Sequence, residues 1–188
     1  MSIKLENVAF SYKNTPVLEN FSLEVNGGEV VALRGESGSG KTSIARLVLG
    51  LEKAEHGSVS APDNISAVFQ EDRLFPTLSV RKNISIVSNG EDKTDYLLKK
   101  ANLDSVADKK VWQLSGGMKR RVAILRAINY GADALILDEP FNGLDPQNKK
   151  LMADLILEEY KNKPILLISH IKEDSELFGA KVVQIEKI

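Results

Sequence analysis

The chain has 188 residues, 43% hydrophobic and 27% charged, with 13 glycines and 6 prolines; this excludes collagen-like and low-complexity classes and suits a single domain burying roughly 70% of its unfolded surface. Twenty-five Lys and Arg against 26 Asp and Glu leave a net charge of −1, so no overall positive field exists to hold a nucleic-acid backbone, and any polyanion must be bound locally. Cysteine is absent, which rules out disulfides and thiolate metal sites, fits a reducing compartment, and makes the cytoplasm the expected address.

The opening residues Met1 to Glu6 lack a signal peptide's apolar run, and the longest apolar stretches, such as Ile165 to Ile168, fall far short of the ~20 residues that cross a bilayer. The chain is expected neither to enter nor to cross a membrane by itself. Residues 3 to 33 carry short alternating runs (Val8, Phe10, Tyr12; then Phe21, Leu23, Val25) broken by Asn14-Thr15-Pro16 and Asn26-Gly27-Gly28, the pattern of antiparallel strands. Glu29 to Leu33 then reads as a buried strand, followed by a Gly/Ser-rich turn. Helical spacing of Ile44, Leu47, Val48 and Leu51 predicts a helix over Thr42 to Leu51. A strand over Ile65 to Phe69 precedes a polar middle region, Gln70 to Gln113, with one helix around Asp92 to Leu103. Met118, Val122, Leu125 and Ile128 mark a helix that starts at Ser115 and ends near Gly131. A short buried strand, Ala134 to Leu137, comes next; Pro146 opens another helix, and Pro164 precedes the strand Ile165 to Ile168. Strands alternating with helices predict an α/β fold with a mainly parallel sheet.

Three segments carry chemistry. Gly35-Glu36-Ser37-Gly38-Ser39-Gly40-Lys41-Thr42 satisfies G-x-x-x-x-G-K-[ST] between a buried strand and an amphipathic helix. The alternative, a glycine-rich turn that binds nothing, is disfavoured by that context. Bare backbone N–H groups can cradle phosphate oxygens, the helix start adds its positive dipole end, Lys41 supplies a point charge, and the Thr42 hydroxyl suits Mg²⁺. Asp138 and Glu139 follow the buried strand Ala134 to Leu137, at the end of the sheet where α/β proteins bind ligands. Asp138 is assigned to the metal and Glu139 to polarising an attacking water. Leu114-Ser115-Gly116-Gly117-Met118 opens a helix with Ser115 as N-cap and two glycines clearing its mouth, a second anion-ready site; a plain capped helix start is the other reading.

From Tyr12 to His170 these motifs, in this order, resemble the ATP-binding cassette (ABC) family. The resemblance implies a P-loop NTPase core with a mainly parallel sheet, an N-terminal antiparallel β subdomain and a small helical subdomain, roughly residues 71–131, all within one ATPase domain over residues 1–188. It implies ATP and Mg²⁺ as cofactors. Nucleotide contacts fall on Tyr12, which stacks on adenine, on Gly35 to Thr42 with Ser43, and, from a partner cassette, on Ser115, Gly116, Gly117 and Asp145. Metal contacts fall on Thr42, Gln70 and Asp138; catalysis falls on Glu139, His170, Gln70 and Lys41. Standing alone, Gln70 reads equally as a polar strand end, Tyr12 nearly as well as a plain strand tyrosine, and His170 better as a hydrogen-bonded histidine at a strand end.

The implied working form is a head-to-tail pair, homodimer or mixed, enclosing two ATP molecules. It would act through separate transmembrane permease subunits, peripheral on the cytoplasmic membrane face and attached only through those partners, with no nucleic-acid partner. The segment Gln70 to Val80, Met118 and Glu139-Pro140-Phe141 resemble importer cassettes of the nitrate, sulfonate and taurine branch. A soluble, non-transport ABC ATPase or a nucleotide-dependent regulatory module is the alternative. Two departures stand out: Asn142-Gly143 replaces the usual Ser-Ala pair ahead of Leu144-Asp145, and Arg120 stands where many members carry Gln.

Overall fold

The computed structural model describes Met1–Ile188. Eight strands and six helices run in the order β1 (Ser2–Tyr12), β2 (Thr15–Asn26), β3 (Val30–Arg34), α1 (Lys41–Val48), β4 (His56–Ser60), β5 (Ile65–Val68), α2 (Val80–Ser85), α3 (Thr94–Lys100), α4 (Gly116–Asn129), β6 (Ala134–Asp138), α5 (Pro146–Glu159), β7 (Ile165–Ile168), α6 (Lys172–Leu177) and β8 (Lys181–Gln184). The first two strands form an antiparallel hairpin and, with β4, a three-stranded sheet in the order β2-β1-β4. The other five strands form a sheet in the order β5-β6-β7-β3-β8, parallel throughout.

The near-continuous apolar runs of β3, β6 and β7 follow from burial on both faces of that sheet. Successive side chains point to opposite sides. Leu135, Leu137, Ile165 and Leu167 therefore join one apolar cluster of 29 buried residues together with α2 to α5. Ala134, Ile136, Leu166 and Ile168 face a second cluster of 18, shared with α1 and the three-stranded sheet. Helix α4 and the α2–α3 segment thus rest on one core with the sheet. The turn after β6 is anchored by Phe141, fully buried and stacked on Phe178 at 5.6 Å between ring centroids.

Four elements lie outside the sequence expectation, each short. Strand β4 (His-Gly-Ser-Val-Ser) and strand β8 occupy sheet edges and lack apolar alternation. Helix α2 has six residues and turns on Asn83, a fully buried amide that exchanges hydrogen bonds with the Phe75 backbone (N–H donated at 2.8 Å, C=O accepting at 3.0 Å). The fourth, α6, is Lys-Glu-Asp-Ser-Glu-Leu, hydrophilic by composition yet burying Asp174 and Ser175. Helix α1 stops at Val48, earlier than the spacing predicts: Gly50 adopts φ +66°, and Leu51 is exposed beyond it. The helix expected over Asp92 to Leu103 is confined to Thr94–Lys100.

Candidate functional site

Strand β3 delivers the chain into the loop before α1. Close approach forces glycine here: a Cβ on Gly35 would lie 2.2 Å from the Ile185 carbonyl oxygen, and one on Gly40, at φ +94°, 3.0 Å from Val17 Cγ1. Gly40 occupies the N-cap position without a side chain to cap α1. The first N–H groups of the helix therefore have no intrahelical partner and face the loop, with the helix dipole behind them. Lys41 reaches back over this loop, its Nζ donating to the carbonyls of Gly35 (2.8 Å) and Glu36 (2.6 Å) and to Ser39 Oγ (3.3 Å).

Opposite the loop, β6 ends on Asp138, 8% exposed, whose Oδ2 accepts from Thr42 Oγ1 at 3.4 Å. The next residue, Glu139, adopts a left-handed backbone (φ +48°) with its N–H donated to Ile168 of β7 at 2.8 Å. Its Oε1 accepts from the His170 backbone N–H (3.2 Å) and lies 2.7 Å from His170 Nδ1. A carboxylate only accepts, so Nδ1 carries the proton of that bond. Its second oxygen, Oε2, is buried with no partner.

Burial, reinforced by the neighbouring Glu139 carboxylate, raises the Asp138 pKa above its ordinary value, against the pull of Thr42, Arg120 and Lys41. A carboxyl whose folded pKa is raised favours the fold below its unfolded pKa, and that contribution is lost as pH rises through the folded value. Asp138→Asn is accordingly expected to need more urea to unfold than the wild type at pH 7 in chelator-containing buffer. The gap should close as pH falls toward the ordinary Asp value of ~3.9. Equal midpoints at both pH values would refute this electrostatic cost.

Loop and carboxylates bound a cleft of about 440 Å³ lined by Tyr12, Gly35, Ser37, Gly38, Gly40, Lys41, Thr42, Ser43, Gln70, Asp138, Glu139 and His170. Glu36 and Ser39 complete the loop beneath it through their bonds to Lys41. Val17, Asn142 and Ile168 also line the cleft and were not assigned to it from sequence. Val17 follows the hairpin turn with no motif to flag it, and Ile168 reads simply as strand interior. Four predicted residues lie elsewhere. Ser115 caps α4, accepting from the Met118 N–H at 3.3 Å, and Gly116 beside it is exposed. Gly117 packs against the Gly143 carbonyl so closely that a Cβ would sit 3.1 Å from it. Asp145 caps α5 through the Asn148 N–H at 2.9 Å.

Arg120 is the residue that sequence reasoning undervalued. Its side chain is 3% exposed, and its guanidinium holds the main-chain oxygens of Phe69, Gln70, Asp138, Glu139 and Pro140 together with the Asp72 carboxylate. Nothing in a run of helical Lys and Arg marks one of them as interior.

Residues 18–142 match the family described as ABC transporter. The chain belongs to the ABC transporter ATP-binding family. This cassette is 32% identical to the ergothioneine transport ATP-binding protein EgtV of Helicobacter pylori (strain G27), over 99% of this chain and 98% of that one. It is 33% identical to the aliphatic sulfonates import ATP-binding protein SsuB 1 of Paracoccus denitrificans (strain Pd 1222), over 97% and 78%, in keeping with the importer branch expected from sequence. Some curated relatives are longer: the cassette spans 56% of the spermidine/putrescine import ATP-binding protein PotA of Legionella pneumophila (strain Paris), 35% identical to it. Among solved structures, the ATP-binding subunit of an ABC transporter superposes with a TM-score of 0.89 at 24% identity, over 100% of this chain and 88% of that one, which shows the fold. The cassette is thus an ATP-binding transport ATPase of α/β architecture. No helix in it is long and apolar enough to cross a membrane.

Proposed function

We propose that this chain, one ATPase domain with its helical part over roughly residues 71–131, drives a membrane transporter as a head-to-tail pair of cassettes. It would be held on the cytoplasmic face by permease subunits that are separate chains. The observation that carries the reading is the Glu139 carboxylate at the cleft, one oxygen tied to His170 and the other buried without a partner. A carboxylate on the cleft wall facing the phosphate loop is suited to accept the proton of a water attacking the γ-phosphorus.

In this reading the loop amides and Lys41 bind the triphosphate and Tyr12 stacks on the base. The Thr42 hydroxyl and Asp138, 3.4 Å apart, with Gln70 beside them on the cleft wall, form an oxygen-rich corner. That donor set fits Mg²⁺, which keeps several waters and needs few protein ligands. When bound, the ion neutralises charge on the β- and γ-phosphate oxygens. Water oxygen bonds to the γ-phosphorus as the bond to the β–γ bridging oxygen breaks. ADP leaves, and Glu139 takes the water proton. His170 keeps the carboxylate turned toward its Nδ1, fixing which oxygen is free.

Ser115, Gly116 and Gly117 lie outside their own chain's cleft, which supports a second cassette supplying its nucleotide to them. Phe75 and Trp112 are 49% and 63% exposed near the Gln70 to Val80 segment, and Trp112 donates its backbone N–H to Pro76 at 3.1 Å, a surface suited to a permease. The relatives named for ergothioneine transport and sulfonate import support small organic cargo. Purifying a tagged chain from native membranes tests the whole reading: recovery with integral membrane proteins and magnesium-dependent ATP turnover is expected, whereas recovery with ribosomes or DNA would overturn it.

A further inference from the structure

We propose that Arg120 is a positioning residue for ATP hydrolysis: it clamps the Gln70 segment to the Asp138-Glu139-Pro140 turn, so that α4 sets the place of the Glu139 carboxylate. This rests on Glu139 acting as the base, as read above. Arg120 Nη1 donates to the carbonyls of Phe69 (2.5 Å) and Gln70 (3.4 Å) and to Asp72 Oδ1 (3.2 Å). Its Nη2 donates to the carbonyls of Asp138 (3.1 Å) and Glu139 (2.6 Å), and Nε to that of Pro140 (2.7 Å). Five N–H groups meet six acceptors, so the guanidinium is fully used and one of its bonds is shared.

The pattern is not that of an ion pair. Five of the six acceptors are main-chain oxygens, from two segments outside α4, 50–51 and 18–20 residues from Arg120 along the chain, that carry Gln70 and Glu139 into the cleft. Three consecutive carbonyls of the turn, Asp138 to Pro140, converge on one planar fork, and Glu139 sits among them in the left-handed region. That conformation is disfavoured for a non-glycine residue, so it needs a partner that over-determines it. Burial works against the charge, while Asp72, Asp138 and Glu139 support it. Glutamine, with two N–H groups on one nitrogen, cannot span both segments, and lysine offers three donors from a point rather than a fork.

The test uses the full chain with Arg120→Met, Arg120→Gln and Arg120→Lys. ATP turnover, affinity for a fluorescent ATP analogue and melting temperature are measured for each. Displacing a base by about 1 Å can cost roughly 10²-fold in rate, so kcat is expected to fall about 10- to 100-fold in Arg120→Met. Analogue affinity should stay within about two-fold, because the Lys41 loop is untouched. Arg120→Lys should recover part of the rate. Added to Glu139→Gln, Arg120→Met should lower turnover no further, since the group it positions is already disabled. Wild-type kcat in Arg120→Met would overturn the inference. So would additive loss in the double variant, or rate losses across Arg120→Lys and Arg120→Gln that simply follow affinity and melting temperature. A wild-type chain with no ATP turnover would overturn the functional reading and this inference with it; normal wild-type turnover with an unaffected Arg120→Met variant would overturn this inference alone.

Discussion

Glu139→Gln is expected to lower ATP turnover by about 10²- to 10⁴-fold, the range for loss of a positioned general base, while nucleotide binding survives. The substitution keeps the shape of the side chain and leaves an oxygen for His170 to donate to at the 2.7 Å contact. What it removes is proton affinity at the second oxygen, the one buried without a partner. Because the phosphate loop and Lys41 are untouched, the variant should still load ATP and then fail to split it. An ATP-dependent dimer should therefore accumulate. Phosphate release in steady state, with light scattering after gel filtration in ATP, measures both effects. Unchanged release would remove Glu139 from the chemistry, and lost ATP binding would mean that the carboxylate holds the site together instead.

Lys41→Ala acts one step earlier, on capture of the triphosphate. A hydrogen bond to a charged group is worth about 1.5–3 kcal/mol, so ATP affinity should drop by roughly 10- to 100-fold and turnover at cellular ATP should be lost. The ammonium also ties the loop to itself through Gly35, Glu36 and Ser39. For that reason AMP, which lacks the β- and γ-phosphates that the lysine of such a loop reaches, makes the useful control. Equilibrium dialysis of ATP and AMP against both proteins separates the outcomes: equal ATP retention by the variant would refute the assignment, and a selective loss for ATP supports it.

The P-loop was legible because its demands are local: backbone wrapping close to a ligand needs glycine, and the spacing is set within eight residues. The parallel sheet was legible for a related reason, since strands buried on both faces show continuous apolar runs, such as Ala134 to Leu137 and Ile165–Ile168. Arg120, Asn83 and Asp174 were not legible. Each is a polar residue made interior by hydrogen bonds that form only in the folded chain, and a hydropathy pattern cannot tell such a residue from a solvated one. For Asp174, 1% exposed, the partners are Lys149 Nζ at 2.9 Å and Ser169 Oγ at 2.8 Å, brought together only once α5, β7 and α6 have packed. The left-handed turn at Glu139 was hidden too, because a glutamate gives no sign of positive φ. Motif reasoning therefore found which groups do chemistry, and only the packed structure revealed what aims them.

The single apolar cluster that α2, α3, α4 and α5 share with β6 and β7 limits how such a machine can move. A lobe with its own interior could swing freely on a hinge; opening this one would expose the oily seam under Leu135 and Leu137. Sliding of packed surfaces by small steps is the motion that keeps the seam closed. Force from nucleotide turnover would then travel as shear through a stiff wedge, with little lost to slack.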